Sequence, residues 1–380
     1  SSSSSSSWGF PLYAKRGGGG GGFGGGAGGG GFGSPKPAKK APPSGAKIAK
    51  KGRKAKKNAA GGAASTTNTP YVKSEQDALL AQLAASSASS PIGRAVASSP
   101  TAGRPDFDPF WELMPSLISS KFPDAEDTEL VRVAGFVRHA LDVNLPLEDD
   151  IINDEWRPHD EIHAYMPGLG PRTPFVDPAK LELCRLMSDN VDVIESEYEA
   201  LLADMNRPGG RDRFQSVTSM NYESGWKTLV LFYNGHRIPD FPYHLCPTAT
   251  RILETVPLAG RIAGFNRQRP GTGIPLHSDG NNMWLTCQMG VKVPSESGAW
   301  IRVGPETRRW KRGECLLYDT TYEHETMNES DDEERVVLHV DFFNTLAMTK
   351  LEIDIMRYIY QIREEFMKAE GVAKVGAQIL

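Results

Sequence analysis

The chain of 380 residues lacks several things that would each set its class. It has no run of about 18 apolar residues, so no stretch reads as a membrane-spanning helix. It has four cysteines, Cys184, Cys246, Cys287 and Cys315, widely spaced and without a CxxC pair. That pattern excludes a zinc ribbon or a dense disulfide framework, and predicts free thiols in a reducing intracellular compartment. No 34-residue period is present, so no helical repeat array is expected. The first 73 residues contain no Asp or Glu at all, against thirteen Lys or Arg. Because the whole chain has a net charge of −4, the rest carries −17. A basic tail is joined to an acidic body.

The tail is low in complexity. Serines lead into glycine tracts over 17–33, and ten basic residues follow over 36–57 among Lys, Pro and Ala. Such a composition buries too little apolar surface to offset chain entropy, so residues 1–104 are expected to be a disordered tail and linker. The plain reading is a flexible leader. The sharper ones are a tether to nucleic acid or to an anionic membrane, or part of an organelle-targeting leader, plastid or mitochondrial, since the segment is Ser-rich and free of acids. Few aromatics lie among the basic residues, which argues against nucleic-acid stacking.

Order is expected from about residue 105. A helical support region spans 105–210. Asp108 with Pro109 looks like a capped helix start, residues 127–141 carry apolar positions at helical spacing, and one long helix is predicted from Asp177-Pro178 to about Met205. From Gly225 the pattern turns to strands: 227–233, 261–266, 283–293, 299–303, 314–319 and 335–343. Short strands with Gly, Pro and Asn turns predict a mainly β core over 211–348, a double-stranded β-helix of the jelly-roll or cupin kind. An amphipathic helix follows in 349–380, with Gly371 at its expected cap.

Within that core, His277 and Asp279 form an HxD triplet, and His324 follows 47 residues after His277. Residues i and i+2 of an extended segment point to one face. Two imidazoles and a carboxylate converging from one side make the facial set that holds non-heme Fe(II) with positions left open. A lone HxD is usually a surface turn; a second His and a strand-leading Arg335 make the combination specific. Arg335 shares its strand face with Val337, His339 and Asp341. Its partner would be an ordinary acid, Asp341 or one of Glu329–Glu334, or else the far carboxylate of a dicarboxylate co-substrate, which a guanidinium grips bidentately. Gln288 would donate to a keto-acid carboxylate or simply be solvated. Trp226 and the loop around 235–244 would line a substrate entrance or serve packing. The pattern therefore predicts an Fe(II)- and 2-oxoglutarate-dependent dioxygenase using O2. The rival readings are a catalytically inactive cupin-like binding protein and an interaction protein acting through its basic tail.

The order of blocks carries a resemblance. Gly225-Trp226-Lys227, Gly271-Thr272-Gly273-Ile274-Pro275-Leu276-His277, Met289-Gly290-Val291, Trp310-Lys311-Arg312-Gly313, Glu323-His324-Glu325 and Arg335-Val336-Val337-Leu338 resemble the aspartyl/asparaginyl β-hydroxylase family over roughly 160–350. The resemblance implies a double-stranded β-helix, Fe(II), and oxidative decarboxylation of 2-oxoglutarate coupled to C–H hydroxylation. It matches His277 and His324 to iron-binding histidines and Arg335 to the arginine on the co-substrate's distal carboxylate. Asn266 falls where animal members have a serine at that carboxylate, Gln288 where they have a histidine, and Thr286 where they have an arginine. Asp279 replaces a glycine of the animal enzymes and agrees with the HxD of bacterial relatives, so it is expected as third metal ligand. The implied substrate is an aspartyl or asparaginyl residue, or another small-molecule, peptide or lipid-linked group; without helical repeats, an EGF-like protein substrate gains little support.

Overall fold

The computed structural model describes residues 109–369 apart from 143–144, 159–161, 171, 216–224 and 295–297. The readings of the basic tail, of Asp108 as a cap and of Gly371 as a cap fall outside the described residues. Helices α1 (Pro109–Lys121) and α2 (Val131–Leu141) come first, then a single turn, α3 (Asp149–Ile152). Strand β1 (Phe175–Val176) precedes α4 (Glu182–Asp189) and α5 (Val191–Asn206). Next come β2 (Phe214–Gln215), β3 (Trp226–Tyr233), β4 (His236–Arg237) and α6 (Pro247–Leu253). Strands β5 (Leu258–Gln268), β6 (Thr272–His277), β7 (Trp284–Lys292), β8 (Ala299–Val303) and β9 (Glu306–Arg309) follow. Then come β10 (Cys315–Tyr318), β11 (His324–Asn328), β12 (Arg335–Phe343) and α7 (Lys350–Ala369).

Two antiparallel sheets face each other, the jelly-roll arrangement expected of the pattern. The larger runs β1-β10-β7-β12-β5-β3-β2, with β4 also on β3; the smaller runs β6-β11-β8-β9. Strand β12 shows how alternation sorts the core. Val336, Leu338, Val340 and Phe342 pack with α4, α5 and α6 on the outer face. Val337 turns inward to Ile301 and Val303 of the small sheet. By the same alternation Arg335, His339 and Asp341 share that inner face. At one end α1, α2 and α7 cover Trp284 and Phe343, so helices from both ends of the described chain brace the sheets.

Some expectations are corrected. The helix predicted from Asp177 to Met205 is broken: a 3-10 turn over Pro178–Lys180 is followed by α4, and Asn190 ends α4 before α5 begins. The Asn190 side chain donates to the Leu186 carbonyl at 2.8 Å, a local bond that competes with helix continuation. Strand β1 pairs with β10, so the sheet reaches back into the segment expected to be purely helical. Strands β6 and β9 lie at the edges of the small sheet, half exposed, and neither shows the alternation by which strands are read. Pro275 fits in β6 because that strand pairs on one side only.

Strand β3 steps past β5 at a bulge between Val230 and Phe232. There Gly264 passes so close that a Cβ on it would lie 2.2 Å from the Leu229 carbonyl oxygen. Gly264→Ala is therefore expected to destabilise the fold by about 1–3 kcal/mol through overpacking, read as a lower urea midpoint with an unchanged slope.

Candidate active site

Strand pairing makes the first contact. His277 ends β6, His324 begins β11, and the two are partners in register. Their ring centroids lie 4.2 Å apart. Asp279 lies two residues past the end of β6, where its N–H donates to the Thr320 carbonyl at 2.9 Å. One ligand atom from each of His277, Asp279 and His324 lies within 4.8 Å of the others. His277 Nδ1 meets the Pro275 carbonyl at 2.8 Å and His324 Nδ1 the Tyr322 carbonyl at 2.9 Å. A carbonyl only accepts, so each Nδ1 carries a proton and Nε2 is the ring nitrogen left to ligate. Burial, reinforced by the neighbouring His277, pushes His324 down to about 4, so this imidazole is neutral at pH 7. Burial alone would raise Asp279, but the Arg261 guanidinium and the two imidazoles outweigh it and hold the carboxyl well below the usual range. The result is two imidazole donors and one ionised carboxylate, a suitable set for a divalent metal.

Arg261, which sequence reasoning passed over, ties this group to the sheet. Its Nη1 donates to Asp279 Oδ2 at 2.5 Å, and its Nε lies 3.4 Å from Asp341 Oδ2. Asp341 also accepts from the Thr286 hydroxyl at 2.5 Å and lies 3.1 Å from His339 Nε2. His339 Nδ1 in turn lies 3.1 Å from Gln288 Nε2. An amide nitrogen only donates, so His339 accepts at Nδ1 and donates from Nε2 to Asp341. The hydroxyl of Thr286 is thus committed to Asp341, so its place is in this relay rather than open to a ligand. Arg261 opens its predicted strand just as Arg335 opens another; that shared signal, a cation leading an apolar strand, would have found it.

Arg335 has a different fate. It is fully buried, and none of its three guanidinium nitrogens has a hydrogen-bond partner among the described residues. Neither Asp341 nor any acid of the 329–334 run pairs with it. Two indoles flank it instead, Trp310 at 4.1 Å and Trp226 at 4.8 Å from the guanidinium carbon to the ring centroid. Burial draws its pKa down to about 9, still protonated at neutral pH. Around it, both side-chain polar atoms of Asn266, Nε2 of Gln268 and Oε1 of Gln288 are buried without partners among the described residues. Each such atom costs about 1–3 kcal/mol unless something satisfies it. Their concentration on one inner face is the chemistry of a site built for a polar, anionic guest. Trp226, expected at a substrate entrance, walls this cation, and its indole N–H donates to Thr228 at 3.2 Å. The 235–244 loop starts at the other end of β3, where His236 pairs with Tyr233, so the two do not frame one opening. Tyr318 joins the halves: its buried ring lies 6.0 Å from that of His324, within electrostatic reach of Arg335, Arg261, Asp279 and Asp341.

Residues 188–345 match the family model described as aspartyl/asparaginyl beta-hydroxylase. The ornithine lipid ester-linked acyl 2-hydroxylase of Rhizobium tropici is 30% identical over 162 residues, 40% of this chain and 57% of that protein. The aspartate beta-hydroxylase domain-containing protein 2 of Homo sapiens is 26% identical over 184 residues, 43% of this chain and 48% of that protein. The chain thus spans about half the length of these relatives. A prolyl-4-hydroxylase structure from Pseudomonas putida aligns with 43% of this chain and 98% of its own, at 13% identity and a TM-score of 0.27.

Removing Arg261 leaves Asp279 and Asp341 as buried carboxylates without their shared cation. Arg261→Met is expected to lower the stability of the metal-free protein by about 3–5 kcal/mol, measured by chemical denaturation. Loss of less than about 1 kcal/mol would show that the pair is solvated and does not anchor Asp279.

Proposed function

With residues 188–345 a domain of the aspartyl/asparaginyl β-hydroxylase family, a family of hydroxylases, we propose that this chain is an Fe(II)- and 2-oxoglutarate-dependent dioxygenase. The observation that carries the reading is a pairing of features: a convergent His277, Asp279 and His324, and a buried, unpaired Arg335 on the same inner face. His277 and His324 would hold the iron through Nε2 and Asp279 through a carboxylate oxygen, a donor set that leaves positions for co-substrate and oxygen. Bound there, Fe(II) supplies the oxygen chemistry coupled to oxidative decarboxylation of 2-oxoglutarate.

The chain's own residues bind, orient and keep the site dry. Arg335 grips the far carboxylate of 2-oxoglutarate, and Asn266 adds a donor beside it. Trp226 and Trp310 keep water from that ion pair, which strengthens it in the low local dielectric. Gln288 faces the inner end of the co-substrate, held by its bond to His339. Arg261 fixes Asp279 so that the carboxylate stays turned toward the imidazoles, as partners beyond the ligands of a metal generally do. The substrate is an aspartyl- or asparaginyl-type residue or another amino-acid or lipid-linked group; the names of the relatives include both kinds.

The test combines binding with turnover. Wild-type protein titrated anaerobically with Fe(II) and 2-oxoglutarate should develop a metal-to-ligand absorption band and, in air, release succinate. His324→Ala and Asp279→Ala should lose both. Arg335→Met should keep metal binding but require about 10–100-fold more 2-oxoglutarate, the cost of losing charged hydrogen bonds. A folded wild type that shows neither band nor succinate would overturn the proposal in favour of an inactive binding protein.

A further inference from the structure

Three of the four cysteines meet on the opposite face of β7 from Thr286 and Gln288. Cys287 lies between Thr286 and Gln288, and alternation turns it outward toward α4. Cys184 comes from α4 and Cys315 from β10. The Cys184 and Cys287 sulfurs lie 3.7 Å apart, and all three Sγ atoms fall within 4.8 Å of one another. Met187, one turn beyond Cys184, places its thioether 4.0 Å from Cys287 Sγ and 4.0 Å from Cys315 Sγ. All four side chains are buried in the outer core.

A single buried cysteine is simply a small hydrophobe. Packing alone does not explain why four sulfurs from three elements converge on one point. Metal–thiolate bonds of about 2.3 Å hold the sulfurs of a tetrahedral site about 3.8 Å apart, and the three spacings just given are 3.7, 4.0 and 4.0 Å. Three thiols with a thioether are a soft donor set, which suits monovalent copper better than a hard cation. Cysteine binds a metal as the thiolate, so loading the site releases the thiol protons.

We propose that Cys184, Cys287, Cys315 and Met187 form a second metal site, for Cu(I), on the outer face of the sheet and separate from the His277, Asp279 and His324 group. The test is an anaerobic Cu(I) titration of the full chain against a copper chelator such as bathocuproine disulfonate. Wild type and a His277→Ala/His324→Ala variant should each retain one copper per chain. Cys315→Ser and Met187→Leu should weaken retention by about tenfold or more, since each removes a soft donor. X-ray absorption of the wild-type copper form should show sulfur neighbours only. The proposal is overturned if wild type yields all its copper to the chelator, if nitrogen or oxygen neighbours appear, or if both variants hold copper as wild type does. Should Cys315→Ser fail to fold, Met187→Leu, which conserves core volume, and the wild-type absorption spectrum decide the matter.

Discussion

The antiparallel pairing of β6 with β11 is the constraint on which the site rests. It sets His277 directly opposite His324, and the carbonyls of Pro275 and Tyr322, each two residues before an imidazole, fix both rings in one tautomer. Asp279 then needs only a short step beyond β6 to complete the group, with its backbone tied to Thr320. A one-residue slip in this register would send one imidazole to the wrong face. The neighbours of β11 resist such a slip, since β8 pairs with it along five consecutive residues on its other side.

The inner face of the large sheet is polar where a jelly-roll interior is ordinarily apolar, and it treats its two arginines in opposite ways. Arg261 is held between two carboxylates and belongs to a relay running from Asp279 through Asp341 and His339 to Gln288. Arg335 has two indoles and no carboxylate. A cation–π contact offsets part of the desolvation of a guanidinium, by about 2 kcal/mol when buried, but it leaves every N–H unused. One arginine is therefore tied to carboxylates, and the other keeps its N–H groups without partners among the described residues. Tyr318 interacts electrostatically with both, and its ring lies 6.0 Å from that of His324.

Much of this was legible in the chain because periodicity reports burial. The strands that became β3, β5, β7, β8, β10 and β12 have a buried face or two, and they read as apolar runs. Strands β6 and β9 escaped notice because edge strands face solvent and carry no such pattern. HxD, the second histidine and the strand-leading Arg335 were readable as residue types at spacings that suit a metal and a dicarboxylate. Arg261 leads its strand in the same way, but its role depends on Asp279 and Asp341, 18 and 80 positions away in the chain, and no spacing shows that pairing. The break at Asn190 was missed because a side-chain bond to Leu186 outweighed the helical spacing on either side.

What the sequence by itself determined is the inventory and its faces: which residues are free to ligate, which strand face each occupies, and the separation of a basic tail from an acidic body. These follow from composition and from the two- and 3.6-residue periods, which are local. Tertiary structure alone decided which partners meet. It paired Arg261 and not Arg335 with acids, committed the Thr286 hydroxyl to Asp341, and gathered three distant cysteines around a methionine. Contacts between residues remote in sequence depend on how two sheets pack face to face, and no local pattern encodes that distance.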